Sequence, residues 1–344
     1  MNFFNNSLKE RKLLKILGSF DLNKLSSKEI NYFKNKKILI TGVSGIIGLN
    51  LLFFFNTIVE KKKISLKIDG TFNISLFDFV KNYFRKKKFI KFKKIDLAKN
   101  KLNNHKSYDL IFHCAGYGQP AKFLKFSSST YKLNSIAIMN LNRNLKKNGK
   151  FIFMSTTEIY SGNNRLCNEK SVGYTTPSHP RSAYIDSKKF GESYLINNDR
   201  NFLIYRICLT YGPGAKPNDE RILNLLLLRS INNKQIDIYG GMSQVRSNLF
   251  IDDAINLIIK TTSRHNREIF NVSNHQMTTI GEMVQIISQI SGKKIKRHKN
   301  TLKGSPKIIK ISKKKILKAT NYKISTNLKE GLTKTYEWYS HLIR

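Results

Sequence analysis

Apolar positions in this chain come in short blocks separated by polar and Gly-containing stretches. The block KKILIT at 36–41 runs into a Gly-rich turn, and a long apolar segment begins at about Ile46. That order predicts a buried strand, a turn and a helix. Further apolar or alternating runs at 64–72, 89–98, 108–116, 150–160 and 202–212 predict five more strands, with helical segments between them. A strand–helix rhythm of this kind predicts an α/β fold, a Rossmann-like doubly wound parallel sheet, which binds ligands beyond the carboxyl ends of its strands. After Gly212 the rhythm breaks. A loop and a helix follow, then a short apolar stretch at 236–241, then a mixed, Lys-rich region from about 275. We read a Rossmann domain over 36–212, with 245–274 returning to it, and a smaller C-terminal substrate-binding lid from 213–244 and 275–344. Residues 1–35 form an N-terminal extension, in which Leu13, Leu14, Ile16 and Leu17 among Lys and Arg predict an amphipathic helix.

Composition narrows the function classes. The chain has 344 residues, enough for two packed units, and 40% hydrophobic residues, enough for a sizeable core. The formal net charge of +40 would suit a nucleic-acid or anionic-membrane partner. The excess is mostly Lys, accompanied by abundant Asn and Ile, and is spread along the whole chain. A/T-rich coding produces the same composition, so no nucleic-acid partner is expected. What remains is a positive field that attracts a diphosphate-bearing substrate. Cys114, Cys167 and Cys208 lack CxxC spacing, and the histidines show no HExxH pattern. No disulfide framework and no metal site are expected. The longest apolar run is interrupted by Asn50 and Asn56, and the N-terminus has charges inside its apolar stretch. No integral membrane segment and no signal peptide are expected, and the location is read as cytoplasmic.

The turn Thr41-Gly42-Val43-Ser44-Gly45-Ile46-Ile47-Gly48 carries glycines at GxxGxxG spacing between a strand and a helix. Glycines let a backbone approach a pyrophosphate closely, and the helix N-terminus offers N–H groups and a partial positive charge to it. The turn has no GK[ST] ending, which disfavours a nucleotide triphosphatase. We therefore assign Gly42, Ser44, Gly45, Ile46, Ile47 and Gly48 to a dinucleotide. An acid at the end of the second strand favours NAD over NADP, and Asp69 is the candidate, with Asn73 as an alternative. Asp96, closing the third strand, is a candidate for the adenine edge or for capping its own loop. Ala115 and Gly116, ending the fourth, are small enough for the cofactor to lie close.

Tyr184 and Lys188 stand four apart, which places them on one helix face. A phenol with a pKa of about 10 is a poor base at neutral pH, and a nearby ammonium favours its phenolate. Such a phenolate can take a proton from a sugar hydroxyl. Thr156, just past the fifth strand, is placed to hold the substrate oxygen.

With these motifs the chain resembles the extended short-chain dehydrogenase/reductase superfamily, in its NAD-dependent epimerase/dehydratase group. TGVSGIIG matches the Gly motif, YIDSK the Tyr/Lys motif, and STTEIY (155–160) the strand-end motif. The resemblance runs from about Lys36 to Tyr339. It implies NAD as cofactor for Tyr184 and Lys188 to work with, Thr156 as the hydroxyl, Glu158 as an additional acid or base, and a homodimer. Within the group, HPRSAYIDSKKFGE (179–192), GPGAKPNDERILN (212–224) and YGGMSQVRSNLFIDDAI (239–255) are similar to segments of UDP-glucuronate decarboxylases. That likeness implies a UDP-sugar substrate, Arg246 on a diphosphate or sugar carboxylate, and Arg221 near the nucleotide. Leu209, Ala183 and the segment 114–123 depart from the pattern. The reaction implied is decarboxylation through a 4-keto sugar. A 4-epimerase and a 4,6-dehydratase share its first step. A non-catalytic NAD-binding RNA binder and a lipid alcohol dehydrogenase are the remote alternatives.

Overall fold

The computed structural model describes residues 2–102, 107–233, 235–239, 241–274, 277–298 and 309–343. The strands, in chain order, are β1 (Lys37–Thr41), β2 (Lys67–Phe72), β3 (Ile90–Lys94), β4 (Tyr108–His113), β5 (Leu145–Thr156), β6 (Asn201–Ile207), β7 (Leu209–Tyr211), β8 (Gln235–Tyr239), β9 (Val245–Phe250), β10 (Glu268–Val272), β11 (Met277–Thr279) and β12 (Lys294–His298). Seven of them form one sheet in the order β3-β2-β1-β4-β5-β6-β10, and every pairing in it is parallel. The strand order reverses between β1 and β4, the place where such sheets open a ligand crevice. The expected doubly wound parallel sheet is therefore present.

The structure adds detail to three of these stretches. The run at 202–212 is two strands, because the backbone breaks at Cys208 and β7 leaves the main sheet to pair with β9. The short β10, inside 245–274, closes the main sheet as its seventh strand. The apolar stretch at 236–241 becomes β8, paired with β12 in a separate ribbon.

The helix Ile46–Lys62 is apolar on nearly every side, with Leu49, Leu52, Phe53, Phe54, Phe55 and Ile58 all buried. A helix with one exposed face would not need this. Here the sheet covers one side, and the helix Ile251–Arg264 and the N-terminal extension cover the others. Phe20 and Phe33 from the extension make edge contacts with Phe54 at 5.8 and 6.4 Å. Glu29, buried in the extension, caps its own helix through Ser26 and pairs with Lys260 and Arg264. Leu13 and Leu17 are buried as well. The extension is thus part of the core. Among the described residues, no helix is long and apolar enough to cross a membrane.

Candidate active site

The glycine turn is shaped by contacts that exclude any Cβ. Gly42 adopts φ +70°, and a Cβ there would lie 2.8 Å from the Ala115 backbone at the end of β4. A Cβ on Gly48 would lie 2.3 Å from the Gly42 carbonyl oxygen. Gly45 caps the helix, with no side chain between its N-terminus and the crevice. The N–H groups of the first helical turn, including those of Ile46 and Ile47 beside Ser44, have no partner within the helix. A bare backbone cradle at a helix N-terminus fits a dinucleotide pyrophosphate. Below it runs a buried relay that links β1 to β4. The Ala115 N–H donates to Thr41 Oγ1 at 3.1 Å, Thr41 Oγ1 meets His113 Nδ1 at 2.9 Å, and His113 Nε2 meets the Leu133 carbonyl at 2.9 Å. The carbonyl can only accept, so Nε2 carries the proton and Nδ1 accepts from the threonine hydroxyl. Burial holds His113 neutral, with its pKa pulled down to about 3.

Of the two acids read from the sequence, Asp69 lies elsewhere, whereas Asp96 caps its own loop at the end of β3. Asp69 sits in mid-strand, opposite Leu39 and short of the end of β2. Its carboxylate accepts from the Tyr108 hydroxyl at 2.7 Å and faces Lys37, so it is spent on the start of β4 and is absent from the crevice. The true end of β2 is Phe72, because the Val43 N–H bonds the Thr71 carbonyl and draws the turn there. Asp96 lies past the end of β3, where its carboxylate caps the Ala98 N–H at 3.0 Å.

At the end of β5, Thr156 Oγ1 accepts the Glu158 N–H at 3.2 Å, and its hydroxyl favours the Tyr184 phenolate. The helix Ser182–Ile196 presents Tyr184, Lys188 and Glu192 on one buried face. It packs close because a Cβ on Gly191 would lie 2.6 Å from Ile138. Burial, then the charge of Glu158, raise the Tyr184 pKa, while Thr156, Arg181 and Arg221 oppose this. Lys188 donates to the Met154 carbonyl at 2.6 Å, its Nζ is 6.0 Å from the Tyr184 ring centre, and burial pulls its pKa down to about 7. The space beside Gly116 opens toward the Lys188 ammonium.

Beneath this helix lies a buried ion pair. Arg206 grips Glu192 through three contacts of 2.6–3.1 Å and donates to the Tyr160 hydroxyl at 2.7 Å. Ser155 donates to the same carboxylate at 2.5 Å. The pair ties the Tyr/Lys helix to the strand end that carries Thr156. Its signal in the sequence is spacing, since Glu192 follows Lys188 by one helical turn.

Glu158 forms an ion pair with Arg181 Nη1 at 2.8 Å, and burial still raises its pKa. Phe123 stacks on Tyr184 at 4.5 Å with an interplanar angle of 6°, and the Arg181 guanidinium lies 5.5 Å from the Phe123 ring centre. Neither Arg181 nor Phe123 follows from motif reading, although both sit inside segments that carry it. Arg246 donates to the Val245 carbonyl and to Gln244 Oε1, and it feels the charge of Arg181. Arg221 is held within its own loop. Its Nε and Nη2 grip Asp219 at 2.5–3.1 Å and Nη1 donates to the Thr210 carbonyl. Its fork therefore locks the 212–224 loop, and its charge bears on Tyr184.

A switch point in the strand order, a Cβ-free turn and a buried Tyr/Lys pair define a Rossmann-type enzyme that acts beside a dinucleotide. Residues 38–273 match the NAD dependent epimerase/dehydratase family, and the chain belongs to it. It is 26% identical over 270 residues to UDP-glucuronic acid decarboxylase 1 of Xenopus tropicalis, covering 75% of this chain but only 61% of that protein's length. It is 26% identical over 315 residues to a UDP-glucuronate 4-epimerase of Thermodesulfobacterium geofontis, covering 87% of this chain and 95% of that one. Its fold is similar to the crystal structure of a UDP-glucose 4-epimerase from Thermotoga maritima with UDP-glucose, at TM-score 0.74 and 20% identity, covering 90% of this chain and all of that one.

Proposed function

We propose that the protein decarboxylates UDP-glucuronate through a 4-keto sugar. The observation that carries this reading is Glu158. It is a part-buried acid paired with Arg181, and its charge is felt by the Tyr184 phenol. A 4-epimerase requires only that the keto sugar turn over, whereas loss of a carboxylate leaves a carbanion that an acid must protonate.

The Gly42–Gly48 turn would hold NAD, which when bound supplies the hydride acceptor and donor at the sugar C4. Thr156 orients the C4 hydroxyl. The Tyr184 phenolate takes its proton, and the Lys188 ammonium stabilises that phenolate. With a ketone at C4 the sugar carboxylate is β to a carbonyl. The C5–C6 bond breaks, CO2 leaves, and the electron pair is shared with the ketone as an enolate. Glu158, whose pKa is raised, then delivers a proton to C5. Arg246 supports a carboxylate or diphosphate through its planar fork.

A homodimer fits the same reading. The outer side of the Tyr/Lys helix exposes Phe190 and Ile196, and the neighbouring helices expose Tyr131 and Ile136. Apolar side chains clustered around one helix pair suit a second copy of the same surface.

The test is incubation of the purified protein with NAD+ and, separately, UDP-glucuronate, UDP-glucose and GDP-mannose, with products identified by mass. The expected result is loss of CO2 from UDP-glucuronate. An isomer of unchanged mass would replace this reading with epimerisation, and loss of water with dehydration.

A further inference from the structure

Three arginines approach the Tyr184 region, and their partners differ in kind. Arg221 is closed on Asp219 and on a backbone carbonyl, and its pKa is raised by that partnership. Arg246 is held by a backbone carbonyl and an amide oxygen from its own strand and turn. Among the described residues, Arg181 alone of the three is paired with an acid that carries a chemical task, Glu158. Both side chains of that pair keep about a quarter of their surface accessible, at 22% and 26%, although the Glu158 Oε2 that meets Arg181 is itself buried. Arg181 is also braced. It stands at the N-terminus of the Tyr/Lys helix, its backbone N–H donates to His179 Nδ1 at 3.1 Å, and its guanidinium lies over Phe123, which stacks on Tyr184.

We propose that Arg181 is the residue by which this site selects a sugar bearing a carboxylate, which it takes in exchange for Glu158. The proposal rests on the uronate reading above. An entering carboxylate finds a guanidinium already fixed in place, whose present partner is an acid that burial inclines to become neutral. Glu158 then loses its cation and gains an anionic neighbour, both of which favour its protonated form. The other titratable groups that face it are His179 and Tyr184. In this way, substrate binding loads Glu158 with the proton it later delivers. A neutral sugar such as glucose leaves the Glu158–Arg181 pair intact and gains nothing from it.

The experiment is calorimetric titration of NAD+-saturated Tyr184→Phe protein, which holds substrate without turnover, with UDP-glucuronate and with UDP-glucose. The expected result is a preference for UDP-glucuronate that falls about tenfold or more on adding Arg181→Gln, as befits one charge-assisted contact, with UDP-glucose affinity unchanged. Repeating the titration in buffers of different ionisation enthalpy should show proton uptake with UDP-glucuronate, and no uptake once Glu158→Gln is added. A preference that survives Arg181→Gln overturns the assignment while leaving the uronate reading intact. A parallel loss of UDP-glucose affinity makes Arg181 structural and also overturns it. Absence of proton uptake removes the exchange. If the Arg181-intact protein binds both sugars equally, the uronate reading falls and the proposal with it.

Discussion

The cofactor turn and the sugar-side cluster lie at the ends of β1 and β5, with β4 between them, but are built from different materials. The turn is backbone. Its shape follows from Cβ atoms that are missing at Gly42 and Gly48, and its polar groups are main-chain N–H groups. The cluster is side chains. Thr156, Glu158, Arg181, Tyr184 and Lys188 come from two segments, which are joined by the Glu158–Arg181 pair, by Lys188 on the Met154 carbonyl and by Glu192, held by Ser155 and by Arg206 of β6. A backbone device is broken by adding atoms, whereas a side-chain device is broken by removing them.

The largest effect is expected on the side-chain half. Tyr184→Phe should lower kcat by about 10²–10⁴-fold, measured as product formed from UDP-glucuronate, with the fold retained by circular dichroism. A smaller loss would sever the cluster from the chemistry. Next is its foundation. Arg206→Met leaves Glu192 charged and buried without its cation, and should cost about 3–5 kcal/mol in urea unfolding. Adding Glu192→Leu should restore most of that. If the single and double variants are equally unstable, the ion pair is not what joins the two segments.

On the backbone half, Gly48→Ala drives a methyl into the Gly42 carbonyl. It should cost about 3 kcal/mol and abolish NAD binding by fluorescence titration. Gly116→Ala, with no neighbour nearer than 3.7 Å, should change stability by less than about 0.5 kcal/mol. Equal effects of the two would erase the contrast.

The pH dependence of stability sharpens it further. Burial lowers the Lys188 pKa from 10.5 to about 7. Between these values the unfolded chain binds a proton that the folded chain lacks, so stability rises with pH. The slope from this group is at most about 1.4 kcal/mol per unit. Lys150, lowered to about 8 in the same way, adds a slope of the same sign. Lys188→Met should therefore flatten the rise between pH 7 and 10 without removing it, and an unchanged slope would contradict the burial of this ammonium. The smallest effect on cofactor choice belongs to Asp69→Asn. Because its carboxylate faces Tyr108 and Lys37, we expect no change in the NAD/NADP affinity ratio and about 1 kcal/mol or less of stability.

Local patterns carried much of this. The strand–turn–helix at 36–48 was legible because a buried strand, a glycine turn and a helix are short-range statements about adjacent residues. The facing of Tyr184 and Lys188 was legible for the same reason, since four-residue spacing on a helix is geometry. Asp69 was misread because the end of β2 is decided by its partner strand and by the Val43–Thr71 bond, neither of which is visible in 64–72 alone. The partner of Arg221 was not legible because a motif names a residue but not what it touches, and Asp219, two positions away, holds the fork.

The amino-acid order by itself determined the alternating α/β architecture, the Cβ-free turn and the Tyr/Lys face, since each depends on steric and periodic rules acting over a few residues. Only the tertiary structure decided which charges meet. The Glu158–Arg181 pair, the Phe123 stack on Tyr184, the His113 relay and the Glu192–Arg206 anchor join segments that lie 14 to 74 positions apart, or close the space between them. Electrostatic and packing contacts depend on distance through space, and the sheet sets those distances when β1, β4, β5 and β6 lie side by side.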